Sequence, residues 1–345
     1  MMPLRPFLNT ALMISALLLG VGVHGAEREH TRYPLTIDNC GHEQTFTAPP
    51  KRIVTLGQLE SELLMALGVA DRIKGTSVWL GPVSGDLQAV SETVPVLSRS
   101  VPSFESVTQL RPDLVAAQFT YHLGQRGEVA TREQFEQLGI ATWVSPSDCL
   151  GKQITESSNS DGARKRPFTM AMIRDEISQL ARILDVIPQG QALIERLDAR
   201  LAAAQHLRPH THKHPTVMYW FSSTRLRGDA WVGGSYGAPE AISRALGLKN
   251  VIESDQEWPA VSWERIADLN PDIIVIASMD RRNFAADDAA KKRAFLESDP
   301  VARELSAVRH GRIITVDAQG LNPSLHVLDA METIAEHLDT ARVAE

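Results

Sequence analysis

The chain has 345 residues, of which 43% are hydrophobic, and its 35 Lys and Arg against 42 Asp and Glu give a net charge of −7. This composition is typical of a folded globular protein and excludes a disordered chain, a collagen and a polytopic membrane protein. The length predicts two domains, each able to bury its own core. The acidic balance argues against a general nucleic-acid binder, whose surface would be basic.

Residues 1–26 have the pattern of a cleaved secretory signal. Arg5 gives a positive start, the apolar run 11–19 follows, and Gly25 and Ala26 precede a polar stretch. The run is shorter than the roughly 20 apolar residues that a membrane-spanning helix needs. Because no cysteine lies near the cleavage point, we expect a mature protein that is soluble, periplasmic and not lipid-anchored.

The chain contains two cysteines, Cys40 and Cys149. An exported protein enters an oxidising compartment, where two cysteines most economically form one disulfide. The alternative is a pair of buried thiols. We therefore predict a Cys40–Cys149 disulfide, which would close a long loop and stabilise the fold by at most roughly 4–5 kcal/mol.

From Lys51 onward, apolar runs alternate with amphipathic stretches, a pattern typical of βα units and a parallel sheet. After an N-terminal segment at 27–50, this predicts an N-terminal α/β lobe over 51–168. Its predicted strands are 52–57, 72–77, 94–98, 113–118 and 140–145, and its predicted helices are 60–67, 104–110 and 127–138.

Apolar residues at helical spacing then predict a helical connector over 169–207. The alternation resumes in a C-terminal α/β lobe over 208–345. Its predicted strands are 216–222, 271–278 and 312–317, and its predicted helices are 238–246, 286–297 and 325–342. The predicted fold class is α/β, with two Rossmann-like lobes that contain parallel sheets and are joined by a long interlobe helix.

One segment of the chain occurs twice, at 103–117 and 262–276, with a constant offset. Identical residues stand at Ser103/Ser262, Glu105/Glu264, Leu110/Leu269, Pro112/Pro271 and Asp113/Asp272. The shared unit is a Ser-capped helix, a Pro turn and a buried strand, so the two halves are predicted to be lobes of one architecture.

Glu105 and Glu264 stand in the first turns of these two predicted helices. An acid favours the positive end of a helix by about 0.3–1 kcal/mol, which accounts for part of this placement. Two matched, exposed acids on two lobes also suit a partner with two matched basic patches.

Aromatic and basic side chains gather near the ends of the predicted strands, and ligands of open α/β sheets bind outside the carboxyl ends of strands. For any one aromatic the alternative is ordinary core or rim packing. Arg225 and Arg227 lie in a loop and suit an anionic ligand. The candidate ligand contacts are Trp79, Phe119, Tyr121, His122, Trp220, Arg225, Arg227, Trp231, Tyr236 and Trp258.

Ser235 lies in a G-x-S-x-G sequence at 233–237, the pattern of a hydrolase nucleophile elbow. The elbow needs a buried strand immediately before the serine. The preceding stretch 225–229 is polar and charged, so a glycine-rich loop is the favoured interpretation and a serine hydrolase is the alternative.

His206, His210, His212 and His214 lie close together in the segment between the lobes and suggest a zinc carrier as a further alternative. Zinc sites need three or four ligands held by surrounding groups. Because these histidines lie in a polar loop, a solvated histidine-rich loop is favoured and no metal site is predicted.

The runs 49–57 and 62–73, followed by the duplicated Ser-aromatic-Glu and Pro-Asp units, resemble the periplasmic substrate-binding proteins of ABC importers for iron-siderophores, haem and cobalamin, the helical-backbone type called class III. The resemblance implies two lobes joined by one long helix, small hinge motion and a shallow cleft for a bulky chelate. It also implies that Glu105 and Glu264 dock on arginines of the two permease subunits.

The sequence is thus interpreted as a non-catalytic, monomeric capture protein with no intrinsic cofactor, which takes an Fe(III) chelate to an inner-membrane permease dimer. A ferric siderophore is favoured because arginines and aromatics suit anionic catecholate or hydroxamate complexes. Haem stays an alternative through Tyr121, Tyr236 or His122 as axial ligand. Cobalamin stays an alternative through the tryptophans.

Overall fold

The computed structural model describes residues 29–124, 127–153, 161–206 and 214–343. The predicted signal at 1–26 lies outside these ranges, and so do His210 and His212.

The N-terminal lobe (N-lobe) is built on a five-stranded sheet in the order β5-β4-β3-β6-β7, in which every pairing is parallel. Its elements are β1 (Leu35–Asp38), β2 (Glu43–Phe46), β3 (Ile53–Leu56), α1 (Gln58–Ala66), β4 (Ile73–Ser77), α2 (Gln88–Ser91), β5 (Val96–Ser98), α3 (Phe104–Gln109), β6 (Leu114–Ala117), α4 (Thr120–Leu123), α5 (Arg132–Glu136), β7 (Ala141–Val144), α6 (Pro146–Cys149), β8 (Lys152–Gln153) and β9 (Ala163–Arg164). The central strands β3 and β6 are buried along their whole length, as expected of a sheet covered on both faces.

Two consecutive helices, α7 and α8, connect the lobes, and the C-terminal lobe (C-lobe) is built on a second sheet in the order β13-β11-β10-β14-β15, with β12 beside β10. The elements are α7 (Met170–Ile183), α8 (Ile187–His206), β10 (Thr216–Ser222), β11 (Ala230–Val232), α9 (Ala238–Leu246), β12 (Lys249–Asn250), β13 (Ala260–Val261), α10 (Trp263–Leu269), β14 (Ile273–Ser278), α11 (Ala289–Ser298), α12 (Ser306–Arg309), β15 (Ile313–Asp317) and α13 (Val327–Val343). The predicted fold class, two α/β lobes joined by a helical connector, is confirmed.

The C-lobe sheet contains an antiparallel edge that the sequence pattern did not predict. β11 pairs antiparallel with β10, and β13 pairs antiparallel with β11. These strands have three and two residues, too few for a periodic signal. Two reversals restore the direction, so β13 runs parallel to β10 and ends at the same edge of the sheet.

The helix predicted at 127–138 is shorter in the structure because a capping box starts it late. The Thr131 hydroxyl accepts a hydrogen bond from the backbone N–H of Gln134 at 3.3 Å, and the Gln134 side chain accepts one from the Thr131 N–H at 2.8 Å. The helix therefore begins at Arg132.

The N-terminal hairpin β1–β2 is fastened to the N-lobe by side-chain hydrogen bonds and one covalent bond. The Asn39 amide donates to the Val144 carbonyl and accepts from the Val144 N–H, both at 2.8 Å. Arg132 donates to the Asn39 carbonyl at 2.9 Å. Cys40 and Cys149 form the predicted disulfide, with their Cα atoms 6.1 Å apart, which confirms that pairing.

The largest apolar core runs through both lobes and the connector, and includes Leu63 of α1, Leu180 of α7 and Leu328 of α13. Two smaller cores lie on the other face of each sheet. The lobes therefore share one continuous core on the connector side.

Candidate functional site

The carboxyl ends of the two sheets meet between the lobes; we refer to this boundary as the cleft and to its three buried glutamines, Gln58, Gln118 and Gln319, as the cleft floor. The Gln118 amide donates to the Gln319 side-chain oxygen, and the Gln319 amide donates to the Gln58 side-chain oxygen, each at 3.4 Å. The Asp280 N–H of the C-lobe donates to the Leu80 carbonyl of the N-lobe at 2.8 Å. The floor is thus a polar seam between the lobes.

An aromatic cluster from α4 stands at the end of β6. The rings of Phe119 and Tyr121 are stacked with their centroids 5.4 Å apart, and the Tyr121 ring lies 4.3 Å from that of His122. His122 is fully buried. Burial lowers the pKa of His122 to about 4, so its ring is neutral at neutral pH.

Arg281, which follows β14, brings a positive charge from the C-lobe to this cluster. Burial is the largest influence on the pKa values of Tyr121 and His122, raising the first and lowering the second, and the charge of Arg281 acts to lower both. The carboxylates of Asp161, Glu128 and Asp148 act on the pKa of Tyr121 in the opposite direction. Arg281 is half-exposed, and its side chain has no ion pair within the described part of the chain. Sequence reasoning missed this arginine, although it directly follows a predicted strand.

A buried charge cluster beside the aromatic rings links three parts of the chain. Arg164 forms an ion pair with Glu257 of the C-lobe and donates to the Ser147 carbonyl of the N-lobe at 3.1 Å. Lys152 pairs with Asp148 at 2.6 Å. Burial opposes the charge of Asp148, but Lys152 and Arg164 outweigh it and lower the pKa of that carboxyl.

Two predicted ligand contacts lie in the core instead of on the cleft surface. Trp220 is fully buried in β10, and its ring packs 4.8 Å from that of Trp263. Trp258 is also buried and is stacked on Phe221 at 4.3 Å. Both indoles are covered because their strands and loops are packed on both faces, so neither presents a surface to a ligand.

Three other predicted aromatics are half-exposed near the lobe boundary. The Trp79 indole donates to the Thr76 hydroxyl at 2.6 Å, which fixes the ring at the end of β4. The Trp231 ring packs 5.5 Å from that of Phe284. The Tyr236 carbonyl accepts from the Phe168 N–H at 2.7 Å.

Arg225 and Arg227 occupy the exposed turn between β10 and β11. The side chain of Arg227 is 79% exposed and lies 3.5 Å from Asp299 of the C-lobe. The turn packs on the side of the sheet that faces α10 and α11, because its Leu226 carbonyl accepts from the Trp263 indole at 2.9 Å. The structure does not bring these arginines to the Tyr121 cluster.

Glu105 and Glu264 are both exposed at the starts of equivalent helices. The Ser103 hydroxyl accepts from the third N–H of α3 at 3.2 Å, and the Ser262 hydroxyl accepts from the third N–H of α10 at 3.3 Å, so both predicted caps are present. α3 follows β5 and α10 follows β13, so each helix starts at the carboxyl edge of its sheet. Neither glutamate has an ion pair with any described residue.

Comparison with known proteins identifies the family. A family model described as periplasmic binding protein matches residues 53–319, which is most of the chain. The chain belongs to the family of periplasmic binding proteins. This confirms the resemblance found in the sequence.

Individual relatives are distant and cover most of this periplasmic binding protein. A cobalamin-binding protein of Halobacterium salinarum is 24% identical over 313 residues, covering 88% of this chain and 73% of the relative. A crystal structure of an ABC-type Fe3+-hydroxamate transport system from Saccharomonospora viridis is 24% identical, with a TM-score of 0.70 and coverage of 89% and 99%. The periplasmic haem-binding protein HutB of Vibrio cholerae is 21% identical, with a TM-score of 0.62 and coverage of 83% and 98%.

In this binding protein the Ser235 hydroxyl has a structural role. It donates to the Ile252 carbonyl at 2.8 Å and accepts from the Ser254 N–H at 3.1 Å. No imidazole of the described residues lies within hydrogen-bond distance of it. The Ser235 hydroxyl is thus held by two backbone groups, an arrangement typical of a fixed loop.

The histidine segment gives no metal centre in the part of the chain that the structure describes. His214 bonds the Gly247 carbonyl at 2.9 Å, and His206 ends α8. The described ranges contain no group of three His, Cys, Asp or Glu side chains placed to hold a metal ion. Over the same ranges, no helix has the length and apolar character needed to cross a membrane.

His326, at the start of α13, joins the two lobes beneath the cleft. One ring nitrogen lies 2.9 Å from the buried Glu62 carboxylate of α1, and the other lies 2.8 Å from Asp329. Asp329 also pairs with Arg200 of the connector at 2.6 Å. Burial disfavours the imidazolium, but the bonds to Asp329 and Glu62 outweigh it and raise the pKa of His326 to about 10.

Glu60 of α1 and Glu176 of α7 form a fully buried carboxyl pair under the cleft floor. The Ser145 hydroxyl donates to Glu176 at 2.8 Å. Burial raises the pKa of Glu176 to about 7, and burial together with the neighbouring Glu176 charge raises that of Glu60 well above its usual value. The pair therefore holds at least one proton below neutral pH.

Replacing Glu176 by glutamine is expected to stabilise the protein at alkaline pH. A carboxyl whose pKa is raised on folding costs stability as pH rises above its unfolded value near 4.5. The difference in unfolding free energy between variant and wild type should grow from pH 4.5 to pH 7, by about 3 kcal/mol, and then level off. Urea unfolding across this range measures it, with the exposed Glu195→Gln as control. A difference in unfolding free energy that does not change with pH would contradict the raised pKa of Glu176.

Proposed function

We propose that this periplasmic binding protein captures a ferric siderophore in the cleft and delivers it to the permease of an inner-membrane ABC importer. The proposal is carried by one observation: the Phe119 and Tyr121 rings of the N-lobe are stacked, and the charge of Arg281 of the C-lobe acts on Tyr121. Aromatic faces pack against the planar ligand groups of a chelate, and a guanidinium pairs with its anionic oxygens. A ligand held there contacts both lobes.

The relatives support a bulky metal complex as the ligand class. Their names mention Fe3+-hydroxamate, haem and cobalamin. Haem is the second candidate because the half-buried Tyr121 packs against the His122 ring, with the ring centroids 4.3 Å apart. A tyrosine oxygen is chemically suited to serve as an axial ligand to haem iron, whereas His122 is fully buried.

Delivery uses the two matched glutamates. Glu105 and Glu264 stand exposed at the carboxyl edges of the two sheets. We propose that each pairs with an arginine of one permease subunit, and that the mature protein is a monomer, free in the periplasm and without a lipid anchor. Arginine pairs well with a carboxylate because two N–H groups bond two oxygens.

Titration of the purified mature protein tests the ligand. Its tryptophan fluorescence is followed while ferric trishydroxamate, ferric catecholate, haemin or cobalamin is added. The proposal predicts saturation by a ferric siderophore at a ratio of one to one. Saturation by haemin alone would replace the proposal with haem capture, and saturation by cobalamin alone would replace it with cobalamin capture. No saturation by any of the four would reject the metal-complex class.

Replacing Arg281 by glutamine is expected to weaken binding of the ferric siderophore about 10-fold or more. Hydrogen bonds to charged groups contribute about 1.5–3 kcal/mol, and every 1.4 kcal/mol is a factor of ten in affinity. The neighbouring Arg282 is a matched control because it pairs with Asp288 at 2.6 Å. Affinity unchanged in Arg281→Gln, or lost equally in Arg282→Gln, would show that Arg281 is not a ligand contact.

A further inference from the structure

The turn between β10 and β11, residues 223–229, forms a projection that we call the C-lobe tip. It exposes Arg225 and Arg227, and no described residue forms an ion pair with Arg225. Arg227 forms an ion pair with Asp299 at 3.5 Å, and Asp229 is exposed within the tip. The tip therefore offers Arg225 as an exposed guanidinium without an ion pair among the described residues, and Arg227 as an exposed guanidinium that Asp299 holds in place.

The C-lobe tip is fixed against the helix that carries the docking glutamate. The Leu226 carbonyl accepts from the indole N–H of Trp263, the first residue of α10, and the Leu226 side chain packs on the core around Trp263 and Phe295. Glu264 is the next residue of α10. Because β10 ends at the carboxyl edge of its sheet, the tip and Glu264 lie side by side on the same edge.

The N-lobe has no equivalent projection. There, β3 passes through Gly57 directly into α1, and every pairing of the sheet is parallel. In the C-lobe, the antiparallel strand β11 requires the extra turn. The two lobes thus present matched glutamates, but only the C-lobe presents the tip.

We propose that the C-lobe tip is a second docking element, which places Arg225 and Arg227 against an acidic patch on the periplasmic surface of one permease subunit. The inference rests on the proposed function, because it requires that Glu264 docks on that subunit. Arg225 and Arg227 would pair with acidic groups of the permease, and the neighbouring Glu264 would pair with a basic group. The matching permease surface therefore has acidic groups next to a basic group. Such complementary charges mainly accelerate association.

The test compares Arg225→Glu/Arg227→Glu with the exposed connector variant Arg196→Glu, using the importer reconstituted in proteoliposomes. We expect the double variant to associate with the importer about 10-fold more slowly at low salt, with a weaker salt dependence than wild type. Its affinity for the bound chelate should stay within 2-fold of wild type, and Arg196→Glu should behave as wild type. Circular dichroism verifies folding, and Arg225→Ala/Arg227→Ala replaces the double variant if that misfolds.

Unchanged association would overturn the inference, and so would an equal loss of chelate affinity, which would make these arginines ligand contacts. The Glu105→Lys/Glu264→Lys variant separates the two proposals. If it docks normally, the proposed docking by glutamates fails. If it fails to dock while the arginine variant docks normally, only the role of the C-lobe tip is rejected.

Discussion

Replacing His326 by alanine is expected to lower the free energy of unfolding by about 3–5 kcal/mol. The change leaves the carboxylate of Glu62, which is fully buried, without its cationic partner, and removing one member of a buried ion pair costs about this much. It also cuts the chain of charges that runs from α1 through Asp329 to Arg200 of the connector. Urea unfolding at pH 6 measures the loss.

The effect of His326 is expected to depend on pH in a defined direction. Its pKa is about 10 in the folded protein against 6.5 ordinarily, so its contribution is complete below pH 6.5 and disappears as pH rises through 10. The difference in unfolding free energy between wild type and His326→Ala should therefore decrease from pH 6.5 to pH 10. The exposed His310→Ala, which loses only a bond within its own helix, serves as control. A gap that stays constant over this range would contradict the charged bridge.

Reducing the Cys40–Cys149 disulfide is expected to cost at most about 4–5 kcal/mol of stability. The bond joins residues 109 positions apart, and a loop of this length removes much entropy from the unfolded chain. Because the hydrogen bonds of Asn39 and Arg132 can hold the hairpin on the N-lobe without the disulfide, the loss arises in the unfolded chain and the folded structure should stay the same.

Unfolding of wild type with and without dithiothreitol measures the contribution of the disulfide. A Cys40→Ser/Cys149→Ser variant should match reduced wild type and should not respond to the reductant. Equal stability of the oxidised and reduced protein would show that the loop closure contributes nothing.

The sequence predicted the features that depend on local pattern. The repeated Ser-aromatic-Glu unit led to two capped helices, and the structure has both, with Ser103 and Ser262 as caps. Buried strands such as β10 and β14 were found because their residues are apolar throughout. The disulfide followed from compartment chemistry, since the chain offers one possible pair.

Features that depend on tertiary position could not be predicted from the sequence. Nothing local distinguishes Gln58, Gln118 and Gln319 from surface glutamines until the lobes bring them together. Trp220 and Trp258 were predicted at the cleft because each lies near the end of a strand, whereas the packing of both faces buries them. The short strands β11 and β13 pair only through the fold around them, so the sequence pattern did not reveal the antiparallel edge or the turn that leads into it.

Charge reversal at both docking glutamates, Glu105→Lys/Glu264→Lys, tests capture and delivery most directly. The binding protein is added to the reconstituted importer, and chelate binding and chelate transport are measured on the same sample. Losing a paired charge at an interface costs about 2–5 kcal/mol, so transport should fall at least about 100-fold while chelate affinity stays within 2-fold of wild type. Transport at the wild-type rate, or a matching loss of chelate affinity, would contradict delivery through these two residues.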